Sequence, residues 1–280
     1  SISPFSEPAS LIVPSWHWST RGADAITGAM LNTILHGEPG DAPPLVIAHG
    51  LFGSARNWGV VAKRLSDRGQ VIAVDMRNHG ASPWEDSHSY EDLAEDLAQV
   101  IAAHGGKADV VGHSMGGKAA MMLALTHPDS LRRLVVADIA PVTYTHSQLP
   151  FIKAMRAVDL SGLTRRSEAQ EQLAANGVEP ALQSFFTQSL DIQNRRWVLN
   201  LDVLEAEMPK IMSFPDTTAS FDGPALFLSG ANSDYVAAKH RDTITRLFPN
   251  ARFAKIPGAG HWIHAEKPRE FEAAVRVFLD

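Results

Sequence analysis

A serine, a histidine and an aspartate can together open an ester. The hydroxyl attacks, the imidazole carries its proton, and the carboxylate orients the imidazole. This chain offers the serine in Gly112-His113-Ser114-Met115-Gly116. The short apolar run Ala108-Asp109-Val110-Val111 precedes it, and a helix-like run from Lys118 to His127, stopped by Pro128, follows. Strand, sharp turn with a central serine, helix: that context gives a G-x-S-x-G pattern its meaning. The turn strains the serine backbone, so its neighbours must be small. Gly112 and Gly116 meet that need, and Gly117 lets the helix pack close to the strand. The Ser114 hydroxyl is then expected at the carboxyl edge of a parallel sheet, with the Met115 N–H free to bind an oxyanion. The plain alternative is a glycine-rich turn with an idle serine.

Of twelve histidines, His261 is the best placed, in Gly258-Ala259-Gly260-His261-Trp262 just past the last strand. His264 stands three residues on, a spacing that could suit a metal pair, but no third ligand lies nearby and no metal is expected. His113 is locked beside the serine and is expected to point elsewhere. Two carboxylates compete to orient His261. Asp234 follows the penultimate strand and Asp138 the one before it, and both satisfy the order serine, acid, histidine. A second oxyanion donor is expected at Leu51, in the glycine-bracketed loop His49-Gly50-Leu51-Phe52-Gly53-Ser54, with His49 bracing that loop. The polar stretch from Asp75 to Ser82 reads as a hydrogen-bonded loop supporting the elbow rather than as catalytic machinery.

The elements that must position these groups alternate between strand and helix. Strands are predicted over 30–35, 44–48, 71–74, 108–111 and 131–137. Between them, helices carry Trp58, Val61, Ala62 and Leu65, then Leu93, Leu97, Val100 and Ile101, at helical spacing. Ser89 with Asp92 forms a capping-box-like start for the second. This is the pattern of a mostly parallel, doubly wound α/β sheet. It breaks at 143–220, where helical runs appear without a convincing strand, and resumes with strands at 224–229 and 252–256 and helices at 236–248 and 268–279. The expected organisation is an N-terminal extension (1–28), an α/β core (29–142 and 221–280) and an inserted helical cap (143–220).

Composition narrows the function. Lys and Arg total 25 against 31 Asp and Glu, a net charge of −6, which argues against a nucleic-acid surface or a basic membrane face. With no Cys, neither a thiolate nucleophile nor a Cys-ligated zinc is available. No apolar run is long enough to span a membrane. Residues 1–10 lack the features of a signal peptide, so a cytoplasmic location is the expectation. Nothing in the sequence signals an oligomeric state.

Four motifs in order resemble the α/β-hydrolase superfamily: the 49–54 loop, Val74-Asp75-Met76-Arg77-Asn78-His79-Gly80, Gly112 to Lys118, and Gly258 to Pro268. More narrowly, residues 30–280 resemble small bacterial serine esterases and thioesterases related to mitochondrial abhydrolase-domain proteins. The resemblance implies an α/β-hydrolase fold and an ester or thioester as small-molecule substrate, with no cofactor. It also implies Asp138 as the acid, since that subfamily usually lacks a carboxylate where Asp234 stands. Ser114 excludes the branches with an aspartate nucleophile.

Within the cap, Phe151, Met155, Phe185, Phe186 and Trp197, with Met208, Met212 and Phe214, are candidates to line an apolar acyl pocket, and Phe52 and Trp262 join them from the core. Seven Lys or Arg against nine Asp or Glu in residues 143–220 give no dedicated phosphate-binding face. Short or medium carboxylic esters are therefore expected ahead of acyl-CoA thioesters. A cofactor-free perhydrolase, an acyltransferase and a carbon–carbon bond hydrolase share the same triad, and a non-catalytic receptor shares the scaffold.

Asp138→Asn is expected to cut kcat far more than Asp234→Asn, because losing the orienting carboxylate favours the wrong imidazole tautomer. Steady-state kinetics on the two variants decides it, and equal, small losses refute the assignment.

Overall fold

The computed structural model describes residues 30–280; the expected N-terminal extension lies outside the described residues. The chain runs β1 (Thr33–His36), β2 (Leu45–Ala48), α1 (Gly59–Leu65), β3 (Val71–Val74), α2 (Tyr90–Ala103), β4 (Ala108–His113), α3 (Met115–Thr126) and β5 (Leu131–Ala137). An insert follows, with α4 (Leu149–Arg156), α5 (Arg166–Ala175), α6 (Pro180–Thr187), β6 (Leu190–Asp191), β7 (Arg196–Trp197), α7 (Leu201–Ala206) and α8 (Met208–Met212). The core then closes with β8 (Ala225–Gly230), α9 (Arg241–Leu247), β9 (Ala251–Ile256), α10 (Ile263–Glu266) and α11 (Pro268–Leu279).

Seven strands form one sheet in the order β1-β3-β2-β4-β5-β8-β9. All neighbours are parallel except β1, which pairs antiparallel with β3. The central strands are apolar on both faces, as a sheet covered on both sides requires. Along β2, Val46 and Ala48 pack with α2, α3 and α9, while Leu45 and Ile47 pack with α1 and α11. Helix α11 shows the amphipathic logic: Phe271, Val275 and Leu279 are buried at four-residue spacing and Val277 faces solvent. Helix α2 begins as its residues predict, with Ser89 Oγ accepting the Asp92 N–H at 3.1 Å. Among the described residues, no helix is long and apolar enough to cross a membrane.

The differences from the predicted elements are local. Helix α3 starts at Met115, earlier than predicted, because the turn of the elbow leads straight into it. The helix predicted to carry Trp58, Val61, Ala62 and Leu65 and the one predicted over 236–248 are each preceded by a short 3-10 turn, Ala55–Trp58 and Ala238–His240. The insert holds a small antiparallel hairpin, β6 with β7; two-residue strands are too short to show alternation. The insert also builds its own core, in which Ile152, Met155, Leu173, Phe186, Trp197 and Leu204 are buried together.

Three glycines set how closely the layers approach. A Cβ on Gly112 would sit 2.2 Å from the Gly116 carbonyl oxygen, and one on Gly116 would sit 2.3 Å from that of Ala48. A Cβ on Gly117 would meet Ile139 at 2.6 Å. Backbone cannot yield as a flexible side chain can, so Gly116→Ala is expected to lose about 3 kcal/mol of stability. Urea denaturation measures it; an unchanged midpoint contradicts the close approach.

Candidate active site

Ser114 joins β4 to α3 with φ 53° and ψ −120°, a conformation that L residues rarely adopt and that lifts its side chain above the sheet edge. Its Oγ lies 3.1 Å from His261 Nε2. The other ring nitrogen, Nδ1, lies 2.7 Å from Asp138 Oδ2. Asp138 is fully buried at the end of β5 and also has a positive φ, 52°. Its Oδ1 accepts the Gly230 N–H at 2.9 Å, and its Oδ2 accepts the Ser233 hydroxyl at 2.5 Å. A carboxylate held this way only accepts, so Nδ1 of His261 carries the proton and Nε2 presents its lone pair to Ser114. Asp234, the competing acid, is exposed on the loop after β8, and Asp138 occupies the His261 Nδ1.

The imidazole is held from several sides. His113 Nε2 donates to the His261 carbonyl at 2.9 Å, so His113 positions its neighbour's backbone. Glu266 accepts the Gly260 N–H at 2.8 Å and fixes the loop. The Tyr235 ring stacks on His261 at 3.9 Å. His264 lies flat against Trp58, ring centroids 3.9 Å apart.

The loop after β2 is fastened peptide by peptide. Met76 N–H donates to His49 Nε2 at 2.9 Å, so the proton of His49 is on Nδ1, which donates to the Gly50 carbonyl at 2.8 Å. The Gly53 N–H donates to the same carbonyl at 3.0 Å. In a trans peptide the N–H points opposite to the C=O, so these bonds aim the Leu51 N–H. Phe52 follows at φ 64°, a strain of about 1–3 kcal/mol, and its N–H donates to His79 Nε2 at 3.1 Å. Among the described residues neither the Leu51 nor the Met115 N–H is taken by a protein acceptor. The stretch from Asp75 to Ser82, read as supporting the elbow, supports this loop instead. His79 holds Phe52, and Asp75 Oδ1 accepts the Ala55 N–H at 2.8 Å. Arg77 pairs with Asp96 at 2.6 Å, away from Ser114.

Ser114 and His261 open into a cavity of about 390 Å³ between core and insert. Phe52, Phe151, Phe185, Phe186, Met212 and Trp262 line it. Four expected lining residues do not. Met155 is fully buried in the insert's core, and Trp197 packs beside it with its indole N–H on the Met155 carbonyl at 3.0 Å. Met208 is buried in that core too, and Phe214 packs near the Tyr90 ring. Helical spacing marks a face as apolar, but it does not say whether that face meets a cavity or a private core. Sequence reasoning missed Leu182, Tyr144 and Lys118 in the wall, and Ser233 on Asp138. The signal for Lys118 was present: one helical turn after Ser114, it must share the side of α3 that faces the site. Its Nζ donates to the Ser213 carbonyl at 2.7 Å and the Met212 carbonyl at 3.2 Å and lies 4.8 Å from the centre of the Tyr144 ring.

Comparison with known proteins gives a consistent picture. The sequence model described as "Alpha/beta hydrolase family" matches residues 45–274. The chain is 41% identical to the sn-1-specific diacylglycerol lipase ABHD11 of Mus musculus, across 98% of this chain and 94% of that protein. It is 40% identical to the esterase YbfF of Escherichia coli, across 85% of this chain and 93% of that protein. Among solved structures, a marine microorganism esterase superposes with a TM-score of 0.85 at 38% identity, covering 90% of this chain and all of that one.

Burial sets the charge state around the site. His49, His79, His88, His113 and His264 are all pushed below the ordinary imidazole value by desolvation, His88 and His264 to about 3. Burial alone brings Lys118 down to about 7. The unfolded chain binds protons that these groups refuse when folded. Stability is therefore full above the unfolded values and is lost as pH falls toward the folded ones. His88 and His264 are each expected to remove up to about 1.4 kcal/mol per pH unit between about 6.5 and 3, and the other three act in the same direction. Lys118 is expected to remove stability as pH falls from about 10.5 to 7. The urea midpoint of the wild type should rise between pH 7 and 10 by more than that of Lys118→Met; parallel curves contradict a depressed lysine.

Proposed function

As a member of the alpha/beta hydrolase family this chain is a serine-type ester hydrolase, and from that premise we propose that it works through an acyl-enzyme on esters of short to medium carboxylic acids. The observation that carries the reading is the bond line from Asp138 Oδ2 through His261 to Ser114 Oγ, 2.7 and 3.1 Å long, at a cavity wall. His261 Nε2 takes the Ser114 proton as Oγ attacks the acyl carbonyl. The oxyanion forms between the Leu51 and Met115 N–H groups, the second at the start of α3, where the helix dipole adds to it. Losing one such donor costs about 2.7–4 kcal/mol of transition-state stabilisation. The imidazolium then gives its proton to the leaving alkoxide. Water, deprotonated by the same nitrogen, releases the acid and restores Ser114.

The wall sets the substrate class. The cavity of about 390 Å³ lies near the lower end of small-molecule sites, about 300–1,000 Å³. Phe151, Phe185 and Phe186 give it an apolar side for the acyl chain. We assign residues 143–220 the part of a cap, since α4, α6 and α8 contribute to that wall. Most of the cap's arginines are already engaged within the cap. Arg166 is spent on the Thr187 and Leu190 carbonyls, while Arg165 pairs with Glu168 and Arg196 with Asp191. Esters therefore rank ahead of thioesters, and transfer to an alcohol or to peroxide is the further alternative on the same acyl-enzyme.

A fluorophosphonate is expected to label the wild type at Ser114 and to leave Ser114→Ala unlabelled. In a p-nitrophenyl ester series, kcat/KM is expected to peak at acyl chains of about four to eight carbons and to exceed that for the matching acyl-CoA. A steady rise to the longest chains, or a preference for the thioester, overturns the substrate assignment.

A further inference from the structure

The insert does more than roof the cavity. Resting on the serine hydrolase reading above, we infer that Ser189 and His79 are positioning residues for the oxyanion hole, and that the insert thereby sets the geometry of the Leu51 donor. Phe52 is the strained residue beside that donor, and both of its polar backbone atoms are held. Its N–H goes to His79 Nε2 at 3.1 Å, and its carbonyl accepts the Ser189 hydroxyl at 3.1 Å. Ser189 belongs to the insert, between α6 and β6, and is buried. The Phe52 ring meets Phe186 of α6 edge-on at 5.6 Å.

The two holders are joined to each other. Val198 N–H donates to the Ser189 carbonyl at 2.8 Å, and Gly80 N–H donates to the Val198 carbonyl at 2.8 Å. His79 bridges Leu199 as a strand would, and Asn200 N–H reaches the Asn78 carbonyl at 2.9 Å. His79 itself is fixed through Nδ1, which donates to the Arg77 carbonyl at 2.8 Å. The bonds close a circuit: Phe52 carbonyl, Ser189, Val198, residues 78–80, and back to the Phe52 N–H. One arc is core and the other is insert.

A positive φ at a bulky residue persists only where the surroundings over-determine it. Open the circuit and Phe52 relaxes; the Phe52–Gly53 peptide turns, the Gly53 N–H slackens its hold on the Gly50 carbonyl, and the Gly50–Leu51 peptide lets the Leu51 N–H leave its line. That donor acts on the oxyanion and not on the ground-state carbonyl, so the loss falls on kcat and spares KM.

The test compares the wild type with Ser189→Ala, Ser189→Thr and His79→Leu on p-nitrophenyl butyrate, with butaneboronic acid as the tetrahedral mimic. Ser189→Ala and His79→Leu are expected to lower kcat about tenfold with KM within about twofold, and to weaken boronate binding about tenfold. Ser189→Thr, which keeps the hydroxyl, recovers most of both. The two variants cut the circuit from opposite sides, so one that folds poorly leaves the other to decide. If kcat stays within twofold, or if KM alone rises, the positioning role is wrong. Fluorophosphonate labelling of wild-type Ser114 separates the failures: a labelled enzyme with unmoved kcat sinks this inference alone, and an unlabelled one sinks the hydrolase reading with it.

Discussion

The contact of Gly116 with the carbonyls of Ala48 and His49 underlies the site. It brings the first turn of α3 against the end of β2, backbone to backbone, with no room for a Cβ. The Met115 N–H lies on one side of that contact and the loop carrying the Leu51 N–H on the other. Two donors from segments more than sixty residues apart in sequence can then serve one oxygen atom. The strained turn at Ser114 and the strained residue at Phe52 flank the same contact. Strain at both places persists because the packed sheet and its hydrogen bonds leave the backbone no other path.

Three of the histidines around Ser114 serve as braces. His49 and His79 accept a backbone N–H on Nε2 and donate from Nδ1 to a carbonyl. That pattern requires a neutral ring, and burial keeps both rings neutral. His113 is neutral as well and holds the His261 carbonyl. Protonating His49 or His79 would turn an acceptor into a donor aimed at another N–H. His261 differs because its two nitrogens face a carboxylate and a hydroxyl.

Much of this was legible in the residues. Glycine spacing around Ser114 announced the elbow, and the alternation of short apolar runs with helical ones announced the sheet. Spacing alone did not choose between Asp138 and Asp234, since both follow strands; only the family resemblance favoured Asp138. Strand order settles the geometry: β5 lies between β4 and β8, so the end of β5 is beside the serine and within reach of the Gly230 N–H, while Asp234 lies beyond the end of β8. Cavity lining was legible only in part. Phe151, Phe185 and Phe186 reach the cavity while Met155 and Trp197 do not, because facing direction depends on how five helices settle against one another. The role of the Asp75–Ser82 stretch was assigned to the wrong neighbour, since a polar loop announces its bonds but not its partners.

The insert's separate core has an evolutionary consequence. Met155, Trp197 and Leu204 are buried in it beside α4 and α6, and no strand of the main sheet belongs to that cluster. Because that core also packs on Phe52, drift at such positions would reshape what enters and bear on the Leu51 donor as well. Lineages built on one triad can in this way part company over substrate through mutations that never line the pocket.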